Sequence, residues 1–169
     1  MMGRPAAWAL RRSLAVLAMA AAVVGCASPD FLQPGAQRDD VAQRLGAPLS
    51  RAALAGGGER WIYSGQPSGR SAHQLDFDAQ GRLQDVQQVL TPQRLQAIEA
   101  DRWTADQVRA TFGPPALLET VAFFDGLVWT YRFYEDFTPR LAHVYIDRAG
   151  VVRRMMFADD LPRGDDARL

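Results

Sequence analysis

The chain has 169 residues, with 19 Arg, no Lys, 19 acidic residues, two His and one Cys, and is formally neutral at pH 7. With 48% apolar and only 22% charged residues it has material for a packed core, which excludes wholesale disorder. A neutral balance offers no basic excess to displace phosphate counterions, which argues against a nucleic-acid partner. A single Cys excludes an intramolecular disulfide and a Cys-built zinc cage.

The first 25 residues read as an address. Arg4, Arg11 and Arg12 form a positive n-region without an acid, and residues 14–24 form an apolar run of 11 residues. A membrane-spanning helix needs about 20 residues, so the run is a signal-peptide h-region. The Arg11-Arg12 pair leaves twin-arginine export open beside the general secretory route, which the commonness of such pairs favours. The tetrapeptide Val23-Val24-Gly25-Cys26 resembles the lipobox of bacterial lipoproteins. That resemblance implies cleavage before Cys26, acylation of Cys26 and, with Ala27 rather than Asp following, anchoring in the outer membrane with the chain facing the periplasm. Acylation also accounts for a lone thiol in an exported chain. Residues 1–25 are then the signal peptide and residues 26–34 the lipidated Cys and its tether. The mature chain keeps 16 Arg against 19 acids, a net charge of −3.

Beyond residue 34 one pattern occurs twice. Val41-x3-Leu45-Gly46-Ala47-Pro48 returns as Val108-x3-Phe112-Gly113-Pro114-Pro115, an offset of 67. Trp61-x-Tyr63 returns as Trp129-x-Tyr131 at an offset of 68, and Leu75-x-Phe77-Asp78-x2-Gly81 as Val144-x-Ile146-Asp147-x2-Gly150 at 69. A drift of one residue at a time is what loop insertions produce after a duplication.

Within the first copy, residues 39–45 predict a short helix with Val41 and Leu45 on one face, stopped by Gly46 and Pro48. Residues 60–64 alternate as a strand with Trp61 and Tyr63 on one side. Asp78-Ala79-Gln80-Gly81 predicts a hairpin turn, and residues 83–90 a further strand. Residues 92–100 predict another helix with Pro92 near its start. In the second copy Thr104 is a candidate N-cap, and Val108 and Phe112 share a helix face. Residues 127–134 put Leu127, Trp129, Tyr131 and Phe133 on one side of a strand and Val128, Thr130, Arg132 and Tyr134 on the other. Asp147-Arg148-Ala149-Gly150 predicts a turn and residues 151–158 the last strand. The fold class read from this pattern is α+β. Helix or helices followed by a three-stranded antiparallel meander repeat in tandem over residues 35–91 and 92–158. The helices pack on one face of one continuous sheet or of two tightly packed ones. Residues 159–169, with Pro, Gly and four Asp, read as a flexible tail.

The string Val-x3-Leu-Gly-x-Pro, then Trp-x-Tyr, then Phe-Asp-x2-Gly-Arg is similar to the BamE (SmpA/OmlA) family of outer-membrane lipoproteins, over residues 35–90 closely and 102–158 more loosely. The resemblance implies a two-helix, three-strand fold and a place beside the machinery that inserts β-barrel proteins into the outer membrane. Two copies of such a unit resemble the β-lactamase inhibitory proteins, secreted binders without catalysis. These motifs are structural, so they speak to fold more than to task.

Motifs for catalysis are sparse. The chain has no H-E-x-x-H, no phosphate-cradling G-x-x-x-x-G-K and no G-x-S-x-G. Asp76-x-Asp78-x-Gln80-Gly81 begins like a calcium loop, but Gln87 stands where a bidentate Glu is needed. His143 faces opposite to Val144 and matches Gln74 of the first copy, so the position does not demand an imidazole. No metal, cofactor or enzymatic activity is read here. Residues 103–157 hold 11 aromatics against three in residues 35–90. That asymmetry puts Arg132, Tyr134, His143 and Tyr145 forward as a candidate partner-binding patch on the sheet face away from the helices. The plainer alternatives are a solvated face, or one covered by the Phe123-Phe124 and Phe137 loops. The reading is a non-catalytic, protein-binding lipoprotein accessory to outer-membrane assembly or envelope integrity. Its alternative is an inhibitor or ligand-binding lipoprotein acting on a periplasmic enzyme through its sheet face.

Overall fold

Two stretches of the chain run through the same order of elements. In the first, α1 (Arg38–Leu45) is followed by β1 (Ser50–Ala53), β2 (Glu59–Ser64), β3 (Ala72–Phe77) and β4 (Leu83–Gln88). After the short α2 (Pro92–Gln96), α3 (Ala105–Phe112) is followed by β5 (Leu117–Glu119), β6 (Gly126–Glu135), β7 (Thr138–Asp147) and β8 (Val152–Asp159). Each set of four strands forms its own antiparallel sheet in sequence order. This computed structural model describes residues 28–161; the signal segment 1–25, Cys26, Ala27 and residues 162–169 lie outside the described residues.

The fold class read from the sequence is therefore corrected. Strand makes up 43% of the described residues and helix 20%, so the architecture is mainly β, two four-stranded sheets with three short helices. It is not an α+β repeat of helices and three-stranded meanders. The strands that sequence pattern omits are β1 and β5, at the edges, four and three residues long and exposed throughout. Strands wet on both faces leave no hydrophobic alternation to read, and only their backbone pairing to β2 and β6 defines them.

The repeated residues do the same physical work twice. Gly46 and Gly113 close α1 and α3 with φ of 82° and 77°, a region that L side chains rarely adopt. The tyrosine of each Trp-x-Tyr then ties that helix end to the sheet: Tyr63 donates to the Gly46 carbonyl and Tyr131 to the Gly113 carbonyl, both at 2.9 Å. Tyr131 is fully buried, and burial pushes its hydroxyl well above the ordinary phenol range, which keeps it a donor. Each hairpin turn is held by its aspartate. Asp78 accepts from the Arg82 and Gln80 backbone at 2.8 and 2.9 Å, and Asp147 from the Val151 backbone at 2.9 Å.

Two cores result. Val41 of α1 packs with Trp61, Leu75, Phe77 and Leu83 on one face of the first sheet. Val108 and Phe112 of α3 and Leu95 of α2 pack with Trp129, Tyr131, Phe133, Val144 and Ile146 on the inner face of the second. α3 also serves the first sheet. From its back face Gln74 donates to the carbonyls of Thr111 at 3.0 Å and Ala110 at 3.5 Å, and Ile62 and Ala72 beside it are buried. The layers are thus α1, first sheet, α3, second sheet.

The chain on either side of the two units is also held. Residues 28–34, read from sequence as a tether, lie against the first sheet: Pro29–Phe31 forms a 3-10 turn and Leu32 joins the core around Trp61. The amide of Gly35 donates to the Leu83 carbonyl at 2.7 Å. At the other end Asp159 closes β8 and the Asp160 amide donates to the Pro139 carbonyl at 3.1 Å, so these two residues of the segment read as a tail are held, and residues 162–169 of it lie outside the described residues.

The buried Tyr131 bond and the more exposed Tyr63 bond should separate on substitution. Tyr131→Phe leaves a buried carbonyl without its donor and is expected to cost about 1–3 kcal/mol, against about 0.5 kcal/mol for Tyr63→Phe. Urea unfolding midpoints check the order; equal losses would mean that burial does not distinguish the two bonds.

Candidate interaction face of the second sheet

Strand alternation assigns the outer face of the second sheet. Along β6, Trp129, Tyr131 and Phe133 turn inward to α3, so Val128, Thr130, Arg132 and Tyr134 turn out. The register with β7 sets Val128 opposite Tyr145, Thr130 opposite His143, Arg132 opposite Leu141 and Tyr134 opposite Pro139. β8 adds Arg154 beside Tyr145 and Met156 beside His143, while β5 adds Leu117 beside Thr130. Arg132, Tyr134, His143 and Tyr145 therefore share one face. They do not converge. Tyr134 lies six residues along β6 from the position opposite Tyr145, a separation of about 20 Å. The patch is a strip, suited to a macromolecular surface and too long for one small ligand to bridge.

Each member has a defined setting. His143 shares a 2.9 Å hydrogen bond between Nδ1 and the buried Thr130 hydroxyl, the only one its imidazole makes among the described residues. Burial lowers its pKa below the ordinary 6.5, opposed by the charge of Glu119, so the imidazole is neutral at pH 7. The arrangement lacks an orienting carboxylate hydrogen bond, and the Thr130 hydroxyl lies beneath the surface. Tyr145 meets the edge of Phe124 at 5.2 Å and the Arg154 guanidinium at 4.0 Å. Phe124 thus covers that end of the strip, whereas Phe123 and Phe137 leave it open, each almost wholly exposed.

At the other end Arg132 shares Asp160 with Arg70, at 3.5 and 2.5 Å, and the Arg70 guanidinium lies 5.4 Å from the Tyr134 ring. Gln66 completes the joint: its amide accepts from the Arg132 N–H at 3.3 Å and donates to the Arg132 carbonyl at 2.8 Å. It thereby satisfies β6 where the short β5 no longer reaches. Between this loop and the sheet runs a groove of about 910 Å³, lined by Pro67, Arg70, Leu117, Arg132, Leu141 and His143. Sequence pattern does not mark Gln66, Arg70 or Asp160 as site residues. Gln66 is 66 positions from Arg132, Arg70 is further still from Asp160, and no local pattern links them.

The remaining candidates are occupied by structure. Asp76 is held by Arg60 through two 2.6 Å bonds and Asp78 by its own turn, so neither carboxylate is free for a cation. Among the described residues no cluster of three His, Cys, Asp or Glu could hold a metal. His73 is buried on the first sheet with Nε2 at 2.8 Å from Asp30. No helix among the described residues is long and apolar enough to cross a membrane. Cys26 lies outside the described residues.

No family model matches the chain, and no curated protein does. Among solved structures it is similar to a DUF4309 family protein from Bacillus subtilis, at 14% identity over 74% of this chain and 79% of that one, with a TM-score of 0.29.

His143 gives a sign-definite prediction. Its folded pKa lies below its unfolded value of about 6.5, so the stability it contributes is present above that pH and lost as pH falls through the folded pKa. His143→Gln, which installs the residue of the equivalent first-sheet position, should flatten the loss of stability below about pH 6.5. Urea midpoints at neutral and mildly acidic pH check this; an unchanged slope would place the titration elsewhere.

Proposed function

We propose that the chain is a lipoprotein acylated at Cys26, anchored in the outer membrane and facing the periplasm, that acts as a non-catalytic protein-binding module accessory to outer-membrane protein assembly or envelope integrity. The Val23-Val24-Gly25-Cys26 lipobox and the resemblance of residues 35–90 to the BamE family support the anchor and the setting. The family's units are two-helix and three-strand, whereas these sheets have four strands each, so the support is for the class of task and not for identical partner contacts.

One observation carries the binding role. Trp61 and Trp129 are equivalent, so the row Ile62–Gln74 on the back of the first sheet corresponds to the row Thr130–His143 on the outer face of the second. The first row is covered by α3, to whose carbonyls Gln74 donates. No described element covers the second row in this way. The face that α3 covers on the first sheet thus carries no helix on the second, where Arg132, His143 and Tyr145 stand in place of Ser64, Gln74 and Asp76. Tyr and Arg are enriched among residues that dominate protein interfaces.

The test is genetic. Deletion should sensitise cells to detergents and large antibiotics, and the wild-type gene should restore resistance. Cys26→Ser and the pair Tyr134→Ala with Tyr145→Ala should not restore it, although the stable amount of protein is maintained. Full resistance in the deletion strain would remove the envelope role. Full rescue by the tyrosine pair would remove this face.

A further inference from the structure

We infer that the end of the molecule bearing the Pro29–Phe31 turn and the β6–β7 hairpin is seated on the lipid bilayer, with the rings of Phe31 and Phe137 entering the boundary between headgroups and acyl chains. The inference rests on the acylation of Cys26 proposed above and adds which surface meets the membrane.

The leash to the anchor is short. Only Ala27 separates Cys26 from Ser28, and two residue steps span at most about 7 Å. Ser28 is itself held, its hydroxyl donating to Asp30 at 2.8 Å, while the Asp30 carboxylate meets the buried His73 at 2.8 Å. Leu32 is packed in the first core and Gly35 is bonded to Leu83. An acyl anchor at Cys26 therefore attaches at a fixed place, beside the His73 end of the first sheet, and not at the tip of a long free linker.

Strand register then gathers exposed apolar groups at that end. His73 pairs with Tyr63 and Gln88, next to the loop that joins β2 to β3. From that loop Gln66 bonds the Arg132 backbone, and Arg70 reaches Asp160 and the ring of Tyr134. The β6–β7 hairpin projects three residues beyond Tyr134 on this same side. Its two turn residues, Asp136 and Phe137, have φ of 47° and 65°, as a type I′ turn requires. That turn favours Gly at its second position, yet Phe137 stands there, strained and 97% exposed. Phe31 is 78% exposed in the turn next to the anchor, and Leu161, 73% exposed, follows Asp160. In water these rings gain nothing from their positions; at a bilayer boundary each exchanges water for an apolar layer.

Charge at this end points to the same kind of contact. Arg70, Arg132 and Arg140 are set against Glu135, Asp159 and Asp160 in ion pairs, which leaves these three cations compensated and unsuited to gripping anionic headgroups. The contact is apolar insertion and should not depend on anionic lipid. Phe123, also wholly exposed, serves as the internal control, because it lies just before the opposite end of β6.

The experiment uses the processed lipoprotein in phosphatidylethanolamine vesicles, with and without phosphatidylglycerol, carrying Phe137→Trp, Phe31→Trp or Phe123→Trp. Intact mass reports acylation of each variant independently of the fluorescence. The emission added by Phe137→Trp and Phe31→Trp should shift blue and be lost with acyl-brominated lipids, equally in both vesicles. The emission added by Phe123→Trp should stay unquenched. If all three variants are acylated and the residue-137 and residue-123 signals are equally wet, the seating proposed here is wrong while the anchor stands. An unacylated mass would overturn the anchor, and this inference with it.

Discussion

Helix α3 sits between the two sheets and has to satisfy both. Its apolar face, Val108 and Phe112, belongs to the core of the second sheet, while its last carbonyls accept the amide of Gln74 from the back of the first. Units of about 65 residues bury only about 60% of their unfolded surface and are marginal alone. Sharing one helix lets the pair bury more, with the joint sealed by Gln66 on the Arg132 backbone and by Arg70 on Asp160. The same sharing makes the molecule asymmetric. The first sheet has a helix on each face, the second on one, and the difference is the physical origin of the outward strip.

Much of this is legible in the chain, in a particular way. Gly46 and Gly113 have to end helices because Pro48 and Pro114 follow them, and Trp-x-Tyr has to be strand because its aromatics alternate. The opposed faces of β6 and β7 follow from period-two alternation, which by itself puts Arg132, Tyr134, His143 and Tyr145 on one face. The balance of the fold is not legible. β1 and β5 are short and wet on both sides, so an α+β reading with three strands per unit misses the strands that make it mainly β. Arg70 and Asp160 are invisible as a pair, since Asp160 reads as part of a tail and only the tertiary fold brings it to Arg132. The docking of residues 28–34 is equally hidden, because it depends on a buried His73 that has no sequence signature of its own.

Four aspartates are spent on structure. Asp78 and Asp147 hold turns, their pKa values lowered first by backbone N–H donors, Asp76 holds Arg60, and Asp30, lowered first by the Ser28 hydroxyl, holds the N-terminal turn. All three lowered groups support the fold above about pH 4 and lose that support as pH falls through their folded values. What faces outward along β6, β7 and β8 is aromatic, guanidinium and thioether surface. That composition fits recognition of a protein surface.

The strip proposed to meet a protein can be probed in the cell. Photocrosslinking in living cells, with the reactive side chain at Tyr134 or Tyr145 and a control at Arg44 on the exposed side of α1, tests that contact most directly. Adducts are expected from both tyrosine positions with one envelope protein, a component of β-barrel assembly in the favoured reading, and none from the control. A soluble periplasmic enzyme in those adducts would replace that reading with the inhibitor one. No adduct at either tyrosine, with the protein present at its normal level, would contradict the claim.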